Sequence, residues 1–295
     1  MSTALPKPPS SNPFIKQLAA NGPSIPSAPP STPRKTIPTD ARTRHTDRPT
    51  RDRAVSSLRT YLRRSGAFAP LELLKLWKGL FYCMWMSDRP RTQQRLAVDL
   101  AELVDVLARE NFVGFLRAFW ETMGRELAGI EALRMDKFLF LIRRYLFASF
   151  RYLARRKWAD TDLVDEYLDV LASIPLNPRD MKIPNGLRYH VIDIYIDELD
   201  KAISETDAQA PLKELLWPLQ ALREHTVTKN VRERVKDVLE DERIEGWKGS
   251  EEVVSPNKGR IEKQEAGKIE TIDAVGANSP DDSDGEDDEW GGIDE

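Results

Sequence analysis

The sequence predicts an all-α fold: an irregular array of stacked helical hairpins, a HEAT-like α-solenoid, between two disordered ends. Three observations predict it. From Thr50 to about Glu242, apolar residues recur at i, i+3, i+4 and i+7. No stretch in this region alternates with the period of two that a half-buried strand requires. Breakers such as Gly66, Pro70, Pro90 and Pro175 fall between the apolar stripes.

The elements follow in order. Residues 1–49 are rich in Pro, Ser and Thr, with Pro23, Pro26, Pro29, Pro30, Pro33 and Pro38 closely spaced. Such a segment cannot bury enough apolar surface to offset its ordering entropy, so it is read as disordered. Within it, Phe14 to Asn21 has the pattern of a short helix. In the array, Val55, Leu58 and Leu62 share one face, and Leu96, Leu100, Leu103, Val104 and Leu107 form a stripe. Leu163, Tyr167, Leu168 and Leu171 form another, as do Leu212, Leu215, Leu216, Leu219 and Leu222, and then Val227, Val231, Val235 and Val238. Gly66 and Pro70, Pro90, and the loop holding Pro175, Pro178 and Pro184 separate helices; Pro211 opens one near its first position, where a missing N–H costs little.

About nine helices with short connections result, and such helices pack as antiparallel neighbours. Ile130 to Arg156 reads as one helix, almost apolar all round in its first half, which places it at the centre of a bundle. No fixed-period repeat is visible, hence an irregular array. Three regions result: 1–49 disordered, 50–242 helical, and 243–295 an acidic disordered tail. Between Asp281 and Glu295 the tail holds nine acidic residues and no basic one.

The chemistry-bearing residues argue against catalysis. His45, His190 and His225 are far apart and lack cysteine partners at ligand spacing, so no metal site is expected. The single Cys83 sits in an apolar run, excludes an internal disulfide and reads as a buried thiol of a reducing compartment. No phosphate-binding glycine loop or nucleophile elbow is present. Asp193 and Asp197, one helical turn apart, read as a solvated acidic face. The start of the chain has no signal-peptide h-region, and its longest apolar run falls far short of the roughly 20 residues a bilayer needs. No enzyme activity, cofactor, small-molecule substrate or membrane contact is therefore expected.

Basic clusters are the informative feature. Residues 34–64 hold ten Lys/Arg against three Asp, including Arg51, Arg53, Arg59, Arg63 and Arg64. From Arg143 to Lys157 six basic residues, Arg143, Arg144, Arg151, Arg155, Arg156 and Lys157, alternate with aromatics and meet no acid. Arginine pairs with phosphate and stacks on flat rings, so this pattern suits an RNA backbone or an acidic protein. The bland alternative is a solvated helix face over an aromatic core. Trp77, Tyr82 and Trp85, in the dense block Leu73 to Met86, are either core or a docking patch. In the tail, Ser283 among acids and Ser279 before Pro280 are candidate phosphorylation sites.

The segment Leu73 to Pro90, LLKLWKGLFYCMWMSDRP, strongly resembles the hallmark segment of the eukaryotic ribosomal RNA processing protein 1 family. Further matches run in order through Thr50–Val55, Phe119–Met123, Leu133–Phe138 with Ile142–Arg144, and Asn185–Leu187 with His190 and Ile192–Tyr195. The resemblance covers about residues 50–205. It implies an all-helical, non-enzymatic assembly factor of the nucleus and nucleolus, a scaffold in pre-ribosomal particles needed for precursor-rRNA processing, chiefly towards the large subunit. The implied partners are pre-ribosomal proteins and precursor rRNA. The rival reading is a helical protein–protein adaptor without RNA contact. Two departures stand out. Residues from about 22 to 46 interrupt the family pattern, as a lineage-specific linker or an unspliced intron. Many members carry a long basic C-terminal extension where this chain is acidic, so RNA binding by such an extension is not carried over.

Overall fold

The computed structural model describes residues 48–253, with side chains from Asp52 to Trp247. Residues 1–47 and 254–295, which hold most of the segments expected to be disordered, the short helix at 14–21, the interruption at 22–46, and Ser279 and Ser283, lie outside the described residues. Among the described residues there are ten α-helices and no strand. They are α1 (Arg48–Leu62), α2 (Pro70–Trp85), α3 (Pro90–Ala101), α4 (Arg109–Glu126), α5 (Ala132–Ala154), α6 (Thr161–Ser173), α7 (Asn185–Ser204), α8 (Leu212–His225), α9 (Lys229–Leu239) and α10 (Glu242–Val253). Short 3-10 turns occupy Glu102–Val106 and Leu127–Gly129. The last helix continues beyond residue 242, where the sequence suggested a tail.

Sequence punctuation sets most boundaries. Pro70 and Pro90 occupy the first turns of α2 and α3, where a missing N–H breaks no helical bond. Asp160 caps α6, its carboxylate accepting from Leu163 N at 3.1 Å. Gly66 turns the chain between α1 and α2 with φ +97°, a conformation that favours glycine. Asn111 at the start of α4 fixes that turn: its Nδ2 donates to Gly66 O at 3.1 Å, and its Oδ1 accepts from Phe68 N at 2.9 Å.

The dominant packing joins helices two apart in the chain. One row runs α2, α4, α6, α8; the other runs α3, α5, α7, α9. Adjacent hairpin partners approach less closely than the sequence suggested, apart from α8 and α9. The reason lies in what fills the space between rows. Trp77 of α2 and Phe119 of α4 meet Tyr145 of α5 at ring-centroid distances of 5.0 and 4.3 Å. Phe81 stacks on Phe138 at 4.7 Å and Phe112 on Tyr152 at 4.1 Å. A layer of large rings keeps the backbones of the two rows apart while filling the core between them.

Central α5 spans nearly the range expected for it, and Phe138, Leu141, Ile142, Tyr145, Leu146 and Phe150 are wholly buried. Several buried rings place their polar ends on carbonyls. Trp77 Nε1 donates to Phe115 O (3.0 Å), Tyr145 OH to Leu100 O (2.5 Å) and Tyr195 OH to Leu215 O (2.7 Å). Trp77 is therefore core, while Tyr82 and Trp85 are half-buried at its margin. Cys83 is buried, and desolvation pushes its thiol up to about 12, which keeps it protonated.

Two buried cations hold loops together. Lys137 Nζ donates to Trp85 O at 2.7 Å and Ser87 O at 2.8 Å, capping the C-terminal end of α2. Arg188 serves the proline loop before α7, donating to the carbonyls of Asn177, Asp180 and Ile183 and to Asn185 Oδ1. The family-like motifs around Leu73–Pro90 and Leu133–Phe138 thus meet through Lys137. Replacing Lys137 with Met strands two carbonyl oxygens beside a buried chain. The expected cost is about 2 kcal/mol, read as a melting temperature lower by roughly 4–8 °C. Asp88→Asn, at an exposed carboxylate 3.8 Å from the same ammonium, should shift it by less than about 2 °C.

Candidate nucleic-acid interface

The two basic runs are some ninety residues apart in sequence, yet they converge on the segment 102–112. Arg59 of α1 pairs with Glu102 at 2.5 Å, and Arg151 of α5 with Asp105 at 2.6 Å. Arg155 reaches the same Asp105 at 3.4 Å and Glu205 at 3.9 Å. From the turn after α1, Asn111 leads to the start of α4, where Arg109 grips Asp160 with two bonds of 2.6 and 3.0 Å. That bond draws the Asp160 carboxyl below the usual aspartate range. A continuous set of contacts therefore links the C-terminal end of α1, the N-terminal end of α4 and the C-terminal end of α5 along one edge.

The corner after α5 shapes this edge. Lys157 and Trp158 both adopt φ 57°, the left-handed region that non-glycine residues seldom occupy. The turn buries the Trp158 ring and leaves Arg155, Arg156 and Lys157 exposed. Arg156 lies flat on Tyr152, its guanidinium carbon 3.5 Å from the ring centroid, and donates to Tyr152 O at 3.2 Å. Tyr152 in turn donates to Leu107 O and stacks on Phe112, so the platform under Arg156 is fixed from below.

The expected site residues divide into two groups. Arg59, Arg64, Arg143, Arg151 and Arg155 are held in ion pairs within the chain. Arg64 pairs with Glu72 and lies over the Phe68 ring at 3.9 Å. Arg143 binds Asp197 at 2.8 Å and Glu198 at 2.5 Å on α7, and Glu198 is almost wholly buried. Arg144 packs over Phe147. Arg53 is exposed, and the side chain of Arg51 lies outside the described residues. Among the described residues, Arg63, Arg156 and Lys157 are exposed cations without an ion-pair partner. The basic run from Arg143 to Lys157 is thus one face in sequence but two roles in space. Arg143 ties α5 to α7, whereas the last three residues face solvent.

Sequence reasoning missed the acceptors. Asp193 and Asp197 are not merely a solvated acidic face: Arg234 of α9 grips Asp193 with two bonds, and both Arg143 and Arg243 reach Asp197. It also missed Arg109, Lys137 and Arg188. Their partners are carbonyls or distant carboxylates that leave no local spacing signal. Among the described residues no group of three His, Cys, Asp or Glu side chains is placed to hold a metal.

The comparisons place the chain. A profile described as nucleolar protein Nop52 matches residues 42–293. The chain belongs to the Nop52 family of nucleolar proteins. Human ribosomal RNA processing protein 1 homolog B is 46% identical over 159 residues, covering 51% of this chain and 20% of the relative. Mouse homolog A is 44% identical over 158 residues, covering 52% and 32%. The Caenorhabditis elegans homolog is 34% identical over 200 residues, covering 65% and 50%. The chain thus spans between a fifth and a half of these relatives.

Two outcomes are expected from this geometry. Arg143→Ala leaves Glu198 buried without its arginine and should cost about 3 kcal/mol in urea unfolding, whereas Arg156→Ala should cost under about 1 kcal/mol. The second concerns pH. His190 Nε2 donates to Leu139 O at 2.9 Å, and burial lowers its pKa below the ordinary histidine value. Its stabilising effect is full above the unfolded value of about 6.5. It is lost as pH falls through the depressed folded value, because the unfolded chain takes up the proton first. Melting temperatures at pH 7.5 and 5.5 should therefore differ more for the natural chain than for His190→Gln.

Proposed function

We propose that this chain is a non-catalytic assembly factor of nucleolar pre-ribosomal particles, chiefly those of the large subunit, and that it acts in precursor-rRNA processing as a scaffold. Family membership and the names of the relatives support the setting. One observation supports direct RNA contact: two remote basic runs converge on one edge and present Arg63, Arg156 and Lys157 without internal ion-pair partners. Cations at the C-terminal ends of α1 and α5 also offset the helix dipoles, which alone would account for some of them. The stacking of Arg156 on a braced tyrosine goes further, because it pre-orients a guanidinium for phosphate or base. In this reading the chain holds an rRNA fold in place while nucleases supplied by other proteins cut.

A second reading, a protein–protein adaptor without RNA contact, is favoured by the number of arginines consumed in internal ion pairs. Charge reversal of Arg63, Arg156 and Lys157 separates the two. Arg151 and Arg155 are unsuitable targets, because their ion pairs with Asp105 are part of the fold. The triple variant Arg63→Glu, Arg156→Glu, Lys157→Glu should keep its melting temperature and lose crosslinking to precursor rRNA. In titrations with single-stranded rRNA fragments, the slope of log affinity against log salt should fall by about 2 for the three charges removed. Unchanged RNA affinity and unchanged particle association would favour the adaptor.

A further inference from the structure

A groove of about 400 Å³ separates the exposed faces of α6 and α8. Asp165, Leu168 and Asp169 line it from α6; Lys213, Glu214 and Trp217 line it from α8. Three features together characterise it. First, α6 carries no Lys or Arg, and its exposed face presents Asp162, Asp165, Glu166 and Asp169. Elsewhere the carboxylates of Asp105, Asp160, Asp193 and Asp197 each hold an arginine. Among the described residues, Asp165, Asp169 and Glu214 have no ion-pair partner.

Second, Trp217 is 43% exposed although it lies within a helix whose other large apolar residues are buried. An indole face at the rim of an acidic groove is the surface on which a guanidinium or ammonium gains most. Third, Pro218 lies inside α8. It has no N–H, so the Glu214 carbonyl loses the donor that an ordinary helix would place four residues on. The Glu214 carboxylate lines the groove one turn before this proline. The wall thus combines acceptors of hydrogen bonds, uncompensated negative charge and a flat aromatic, with Lys213 the one cation among the residues named.

We propose that the α6–α8 groove docks a Lys/Arg-rich segment of a partner protein, with Asp165, Asp169 and Glu214 taking its charged groups and Trp217 stacking on one of them. The chemistry excludes nucleic acid, whose phosphates these carboxylates repel. It does not depend on RNA contact at the basic edge, which lies on other elements.

The test uses the full chain and a fluorescein-labelled 15-residue peptide of alternating Arg, Lys and Leu, with an Asp/Glu/Leu peptide of equal length as control. Anisotropy should show saturable binding of the basic peptide that weakens with salt, and none of the acidic one. Asp165→Lys with Asp169→Lys should raise the dissociation constant at least tenfold, and Trp217→Ala several-fold, with melting temperatures retained because all three side chains are exposed. Equal binding by the natural chain and the double variant would assign the interaction to the acidic residues 281–295 and overturn the proposal. A photo-crosslinking phenylalanine analogue in place of Trp217 identifies the occupant. A crosslink to the labelled peptide supports a partner segment. Crosslinks confined to the chain's own basic residues 34–48, or to a second copy, overturn it.

Discussion

A helix that is apolar on almost every side has to be covered on every side, and α5 imposes that constraint on the rest of this structure. Its buried residues include Phe138, Leu141, Tyr145, Phe150 and Leu153, which point in different directions around the axis. α3 and α7 flank it within its own row, and α2 and α4 reach it across the aromatic layer. Apolar surface of this extent contributes roughly 2–3 kcal/mol per fully buried large side chain. No other element offers the other helices so much surface to share. Once α5 is enclosed, charge is carried chiefly where the helix ends or where a neighbour supplies a partner. Arg143 meets the second condition through Glu198, and Arg155, Arg156 and Lys157 meet the first.

The surface chemistry follows from that division. Arginines along the flanks of the helices are paired across elements: α5 to α7 through Arg143, α7 to α9 through Arg234, and α7 to the last helix through Arg243. The exposed pairs through Arg234 and Arg243 orient helices more than they stabilise them, since exposed pairs contribute little; Arg143, on buried Glu198, does both. Among the described residues, two groups of unpaired charge of opposite sign bear on binding. One is the edge formed by the ends of α1 and α5, which is basic. The other is the groove between α6 and α8, which is acidic. A chain with both could hold two chemically different neighbours without their competing for one surface.

Much of the fold was legible in the sequence because helix periodicity and proline punctuation are local signals. The stripe Leu163, Tyr167, Leu168, Leu171 gave α6, and Pro70 and Pro90 opened α2 and α3 where expected. Row order was not legible: that α4 lies against α2 and α6 depends on the size of Trp77, Phe119 and Tyr145, which periodicity does not weigh. The candidate site was half legible. Composition located the basic run 143–157, yet could not tell Arg143, committed to a buried glutamate, from Arg156, poised on Tyr152. That distinction depends on Glu198 and Tyr152 facing the right way, and pairing across some fifty residues leaves no trace in spacing. The acidic groove escaped for the same reason, since Asp165 and Trp217 belong to separate helices.

The central claim is that the edge holding Arg63, Arg156 and Lys157 touches precursor rRNA inside the particle. The most direct test is ultraviolet crosslinking of particles purified with the tagged full chain, followed by mass spectrometry of nucleotide-modified peptides. The account requires adducts within residues 60–69 and 152–160, which hold the exposed Arg63, Arg156 and Lys157. Adducts absent from both segments while the chain still co-purifies with precursor rRNA would contradict it, and would make the chain a protein-held adaptor.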